Sequence, residues 1–230
     1  MSISFETINQ NLKTRYETYL TELKELTTEK GNLFSYPILM KAFSDYEKPK
    51  RKVLYVGKET YGWIDTMNNS ENLTADYLMD SYQEFEFAKD YHGRNSPFWR
   101  FVRTCHNRIN GDNLPNGLLW TNFSKCDSNG RTPDYELQKI NDKGFDLILD
   151  EIKITNPDIV IFITGWDYEH QFQRVFSGLE YKTLEEKYLY QCIHPTLPTH
   201  SYMTMHPKGL QIRKKFDTTL NKIVENVASN

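Results

Sequence analysis

The chain has 230 residues, with 28 Lys and Arg against 31 Asp and Glu. That length supports one sizeable hydrophobic core, and the balanced charge excludes a global field that draws the protein to nucleic acid, so any such attraction must come from a local patch. No run approaches a membrane span and the N-terminus lacks a signal-peptide pattern, so a soluble, cytoplasmic, monomeric protein is expected, without cofactor or bound metal. Cys105, Cys126 and Cys192 are few, odd in number and widely spaced, which argues against a disulfide framework or a four-cysteine metal site.

In chain order, Ile8, Leu12, Tyr16, Tyr19, Leu20 and Leu23 recur at helical spacing and predict an amphipathic helix from Phe5 to about Glu29. Residues 1–50 are expected as a helical extension packed on a single domain that runs to residue 230. Val53-Leu54-Tyr55-Val56 is a short apolar run of the kind buried on both faces of a parallel sheet. It ends in Gly57, which allows a tight turn or close approach of a ligand, and then delivers Lys58 and Glu59 to the carboxyl edge, where open α/β sheets bind ligands. The same residues also suit an ordinary strand-to-helix turn with solvated charges. Ile64 to Asn95 shows no clean period; its aromatics Tyr82, Phe85, Phe87 and Tyr91 either line a pocket or cover the sheet.

Ser96-Pro97-Phe98 opens a helix with Pro97 in its first turn. Gly117 to Asn122 repeats the logic of the first strand, a short apolar run ending in a polar side chain. Phe145, Ile148, Leu149 and Ile152 mark another helix, which stops before Pro157. Asp158 to Gly165 is the strongest strand signal, followed by a short helix from Asp167 to Phe176. Tyr188–Ile193 and Tyr202–His206 read as further strands, and Phe216, Leu220, Ile223, Val224 and Val227 face inward from a last helix.

Strands alternating with helices predict a parallel sheet with helices on both faces. Four strands then end in Glu59, Asn122, Gly165 and His206, so a carboxylate, an amide and an imidazole are expected to converge on one cleft. His194, His200 and His206 are spaced evenly by six, which fits neither one helix face nor the short-spaced ligand pairs of a metal hydrolase.

These residues carry a resemblance. Gly57-Lys58-Glu59-Thr60-Tyr61 resembles the Gly-Gln-Asp-Pro-Tyr water-activating motif of the uracil-DNA glycosylase superfamily. Gly117 to Asn122 resembles the strand that presents that family's base-reading asparagine, and Asp158 to Gly165 its next strand. His206-Pro207-Lys208-Gly209-Leu210 is similar to the family's His-Pro-Ser-Pro-Leu or His-Pro-Ser-Gly-Leu minor-groove loop. The order agrees from Val53 to the chain's end; Lys58, Thr60 and Lys208 depart from the pattern and point to a base other than uracil.

The resemblance implies a three-layer α/β/α fold around a mostly parallel, four-stranded sheet. It implies hydrolysis of the N-glycosidic bond of uracil or another modified base flipped out of DNA. Glu59 would orient water and stabilise the sugar cation. His206 would bond the oxyanion developing on the base, and Asn122 would read the base edge. Gly57 and Lys58 would line the pocket, Tyr61 would wall it, and one of Phe87, Phe85 and Tyr91 would stack on the base. Lys208, Gly209, Arg213, Lys214 and Lys215 would hold DNA, with Leu210 wedged into the stack. The alternative is a domain of the same fold that binds nucleic acid or a nucleotide and has lost catalysis.

Overall fold

The computed structural model describes residues 4–26, 33–67, 70–85, 95–111, 114 and 116–229. Its helices are α1 (Phe5–Leu26), α2 (Ala75–Phe85), α3 (Pro97–Asn110), α4 (Tyr135–Ile140), α5 (Asp142–Thr155), α6 (Glu169–Val175), α7 (Pro207–Ile212) and α8 (Phe216–Ala228). The strands are β1 (Val53–Gly57), β2 (Leu119–Asn122), β3 (Ile159–Phe162), β4 (Glu180–Glu185), β5 (Leu189–Ile193) and β6 (His200–Thr204). They form one α/β sheet in the order β2-β1-β3-β6-β5-β4. β1, β3 and β6 run parallel, with Val56 paired to Phe162 and Phe162 to Met203, whereas β5 and β4 are antiparallel.

The sheet therefore has six strands rather than four. β4, the strand without an expected counterpart, reads Glu-Tyr-Lys-Thr-Leu-Glu and is exposed or half-buried throughout. An edge strand keeps one row of backbone groups unpaired and is protected by charged side chains, so it carries no apolar run. The strand expected at Tyr202–His206 begins two residues earlier. α2 lies within the stretch that showed no clean period, with Ala75, Leu78, Met79 and Tyr82 buried. No helix among the described residues is long and apolar enough to cross a membrane.

The chain divides into two units. The first comprises Met1–Phe43, Gly57–Glu86 and Trp120–Thr155. In it α1 packs on α5 and α2, burying the stripe from Ile8 to Leu23. Polar bonds accompany that packing: Tyr16 Oη donates to Glu151 Oε1 at 2.9 Å, and Tyr19 Oη to Asn141 Oδ1 at 2.9 Å. Tyr82 stacks on Trp120 and donates to its carbonyl at 2.9 Å.

The second unit comprises Ser44–Val56, Phe87–Leu119 and Asn156–Asn230. α3 begins at Pro97, with Ser96 Oγ accepting from the Trp99 N–H, and ends at Gly111, whose φ of 79° is the left-handed conformation that costs glycine least. It packs on α7 and α8. Cys105, Cys126 and Cys192 are free and buried; burial pushes all three thiols up, Cys105 to about 12, so none is a ready nucleophile.

His106, on the buried face of α3, is 1 % exposed. Burial disfavours its charged form and pushes its pKa down to about 4, from 6.5. The unfolded chain then binds a proton between these values while the folded chain does not. Stability conferred by the neutral ring is complete above pH 6.5 and is lost as pH falls toward 4, by up to roughly 3 kcal/mol. Denaturant unfolding from pH 7 to pH 4 should show this fall, and His106→Gln should flatten it.

Candidate functional site

The strand order reverses at β1: β2 lies on one side of it and β3 on the other. Open α/β sheets bind ligands outside the carboxyl ends of strands at such a reversal, and the residues β1 delivers there are Gly57, Lys58 and Glu59. In the first unit the backbone continues to pair beyond the strand ends. The Phe123 N–H donates to the Gly57 carbonyl at 2.9 Å and the Ser124 N–H to the Lys58 carbonyl at 2.8 Å. These bonds tie the segment carrying Glu59 to the one that follows Asn122.

The Glu59 side chain is 14 % exposed. Its Oε1 lies 3.7 Å from Lys58 Nζ and accepts from Thr132 Oγ1 at 3.0 Å. A carboxylate held from two sides, at the end of a buried strand, is suited to orienting a water or countering a developing cation.

Asn122 is 2 % exposed, and its Nδ2 is buried without a hydrogen-bond partner. A buried donor left unmade costs about 1–3 kcal/mol. Most buried polar groups in folded proteins are paired; Trp63 Nε1, Trp120 Nε1 and Asn141 Nδ2 of the same unit are likewise buried donors that make no hydrogen bond, and Asn122 is the one at the last residue of β2.

Asp127 organises the segment after Glu59. Its side chain accepts from Thr60 Oγ1 at 2.5 Å, from the Gly62 N–H at 2.8 Å and from the Gly130 N–H at 2.7 Å. Its own N–H donates to Ser35 Oγ at 3.0 Å. Beside it lies a cleft of about 200 Å³ lined by Ser35, Ile64, Asp65, Asp127, Asn129 and Gly130, among others. Ile64 and Asn129 line it with φ of 63° and 51°. For the β-branched Ile64 this is a strained backbone.

Beneath Asn122 sits a buried ion pair. Lys125 Nζ donates to Glu151 Oε2 at 2.5 Å, to Thr121 Oγ1 at 2.6 Å and to the Asn122 carbonyl at 2.9 Å. Lys125 is 0 % and Glu151 1 % exposed. Burial pushes the Lys125 pKa down, against the pull of Glu151. Three donors meet three acceptors, so the ammonium is fully bonded and the end of β2 is held from below.

The remaining expected site residues divide as follows. Tyr61 does not sit in a wall: it is 89 % exposed, with its ring near Gly130. Phe87 and Tyr91 lie outside the described residues. Phe85 packs on Trp63 and Trp120.

In the second unit, His206 caps α7, its side chain accepting from the Lys208 N–H, and stacks on Phe98 with centroids 6.4 Å apart. Leu210 is fully buried; a side chain inside the core cannot enter a base stack, which corrects its expected role as a wedge. Gly209 packs so tightly that a Cβ would meet Met205 Sδ at 2.9 Å. Lys208, Arg213 and Lys214 are exposed, whereas Lys215 is bound to Glu185 at 2.9 Å. Among the described residues no three His, Cys, Asp or Glu are grouped to hold a metal. His200 is bonded to Tyr202, and His194 to Thr196 and the Ser177 carbonyl.

Sequence reasoning missed Asp127, Thr132 and the Lys125–Glu151 pair. Asp127-Ser128-Asn129-Gly130 does carry turn chemistry; the other contacts have no local signal. No family model matches the sequence, and a search of curated proteins finds no match.

The ion pair yields a prediction. Lys125→Met leaves Glu151 buried without its cation and should destabilise the protein by about 3–5 kcal/mol. Adding Glu151→Leu should recover part of that loss, because both charges are then absent. Urea unfolding of the two variants checks this; equal losses would show that the pairing is not what matters.

Proposed function

We propose that this protein is a DNA glycosylase that hydrolyses the N-glycosidic bond of uracil or another modified base, on a three-layer α/β/α fold of the uracil-DNA glycosylase type. The observation that carries the reading is the buried, unpartnered Asn122 amide donor, in the same unit as the Glu59 carboxylate. A base edge offers the acceptor that Asn122 lacks. Glycosidic cleavage develops positive charge on the sugar, which a fixed carboxylate stabilises, and Glu59 is fixed by Thr132 and Lys58. A base lacking an acceptor at the right place would leave Asn122 unpaired, and this is the physical basis of selectivity.

For His206 the reading makes a kinetic claim alone: its hydrogen bond strengthens as charge develops on the departing base. His206→Ala should then lower kcat by roughly 10²–10³-fold with little change in KM. A second reading, a nucleic-acid or nucleotide-binding domain without catalysis, is favoured by the Lys58 ammonium beside Glu59, which already partners the carboxylate.

Oligonucleotides carrying uracil, hypoxanthine, xanthine or methylated bases, scored for abasic sites, distinguish the two readings. Base release that Glu59→Gln abolishes and Asn122→Ala weakens is the expected outcome. Tight binding with no release from any substrate would leave the binding domain.

A further inference from the structure

Asp127 is a buried carboxylate without a cation. It is 0 % exposed, and the donors that reach it, the Thr60 hydroxyl and the Gly62 and Gly130 N–H groups, are all neutral. Among the described residues no Lys or Arg pairs with it. Buried carboxylates are ordinarily matched by a cation, as Glu151 is by Lys125 in the same unit. Neutral donors disperse a charge but do not cancel it. Asp127 also lines the cleft of about 200 Å³, a space far above the ~10–15 Å³ that one water needs.

The rest of the lining has the same sign. Asp65 is the cleft's second carboxylate, and no Lys, Arg or His lines it. Asp65 Oδ1 accepts from the Thr66 N–H at 2.7 Å, and among the described residues no ion pair reaches this side chain either. Ser35 adds a hydroxyl, and Ile64, 43 % exposed, is the large apolar wall. At the rim the Tyr61 ring lies beside Gly130, 3.5 Å from where a Cβ on that glycine would stand.

These walls are fixed by backbone bonds. The Ser35 N–H donates to the Asp127 carbonyl at 3.0 Å and the Tyr36 N–H to the Asp65 carbonyl at 2.8 Å, so one segment holds both acidic residues. The Asp65 N–H donates across Ile64 to the Trp63 carbonyl at 2.9 Å, and Ile64 has φ of 63°. That is the strained form of the three-residue turn. Asn129-Gly130 closes the other rim as a two-residue hairpin turn, with Ser128 and Arg131 exchanging backbone bonds at 2.9 and 3.0 Å. A site assembled before its ligand arrives loses little binding energy to ordering.

We propose that this cleft binds a small organic cation, a guanidinium or alkylammonium group, whose charge supplies the pair that Asp127 lacks. Asp65 provides the second carboxylate, Ile64 meets the apolar part, and the Tyr61 ring makes a cation–π contact at the rim. A guanidinium matches carboxylates best, because its donors form a planar fork. A bare calcium or magnesium ion needs about six oxygen ligands, and Asp127 already accepts from three donors. The site uses neither Glu59 nor Asn122 and does not rest on the glycosylase reading.

The test uses the full chain and methylguanidinium chloride at constant ionic strength. The Gly62 and Gly130 amide resonances are followed by NMR, since both N–H groups donate to Asp127. Saturable shifts with Kd on the order of 1–10 mM are expected, a range suited to a ligand of so few atoms. N-methylurea, the neutral isostere, should bind about tenfold more weakly. Asp65→Asn keeps an acceptor for the Thr66 N–H, so Tm should hold while methylguanidinium binding weakens about two- to fivefold. Ile64→Gly relieves the left-handed backbone and removes the apolar wall; it should weaken binding without lowering Tm. Glu17→Gln, an exposed carboxylate lost from α1, should change neither.

Equal binding of methylurea and methylguanidinium would overturn the proposal, as would the absence of a saturable shift at either amide. Unchanged affinity in Asp65→Asn would also reject it. Calcium or magnesium chloride shifting the same amides at lower concentration than methylguanidinium would replace the organic cation with an inorganic one.

Discussion

Lys125 is the constraint on which the first unit depends. Its ammonium is withdrawn from water, and the three acceptors that replace the water come from two elements: a hydroxyl and a carbonyl on β2, and a carboxylate on α5. Glu151 in turn accepts from Tyr16 of α1. One buried cation therefore ties the N-terminal helix, the end of β2 and α5 to a common point. The cost of burying such a pair is recovered only while every member is bonded, which makes the geometry around Asn122 stiff. A stiff end to β2 also explains how the unpaired Asn122 amide is kept buried rather than rotating out to water.

Asp127 plays the matching part for the segment after β1. A single carboxylate gathers the Thr60 hydroxyl and the Gly62 and Gly130 N–H groups, so the turn that carries Glu59 away from the strand is closed by the turn that follows β2. The strained backbone at Ile64 and Asn129 lies beside this closure. Strain of this kind persists only where surrounding bonds over-determine the chain, and Asp127 supplies them.

Much of the fold was legible because burial leaves a pattern. β1 and β3 are covered on both faces, and their unbroken apolar runs show it. α1 and α8 each bury one stripe, which repeats at helical spacing. β4 was illegible for the opposite reason: an exposed edge strand is selected for charge rather than apolarity. α2 has the helical stripe but is only 11 residues long, and averaged over Ile64 to Asn95 its period disappears. α7 lies where the resemblance implies a loop, at His206 to Leu210; His206 as cap and Pro207 in the first turn make a sound helix start there.

By itself the sequence determined the α/β class and the residues that follow β1 and β2, because alternation of burial is written locally and side-chain order follows the backbone; it did not show that the strand expected at Tyr188–Ile193 runs antiparallel to its neighbour. Gly57-Lys58-Glu59 and Asn122 could be named as strand-end groups on that basis alone. Only the tertiary structure decided what those groups touch. That Asn122 is buried with its donor unmet, that Glu59 is held by Thr132, that Leu210 turns inward while Tyr61 stands in solvent, and that Glu185 silences Lys215 but not Lys214 all depend on residues distant in the chain. Hydrogen bonds and ion pairs are set by distances of a few ångströms between such residues, and no local period encodes them.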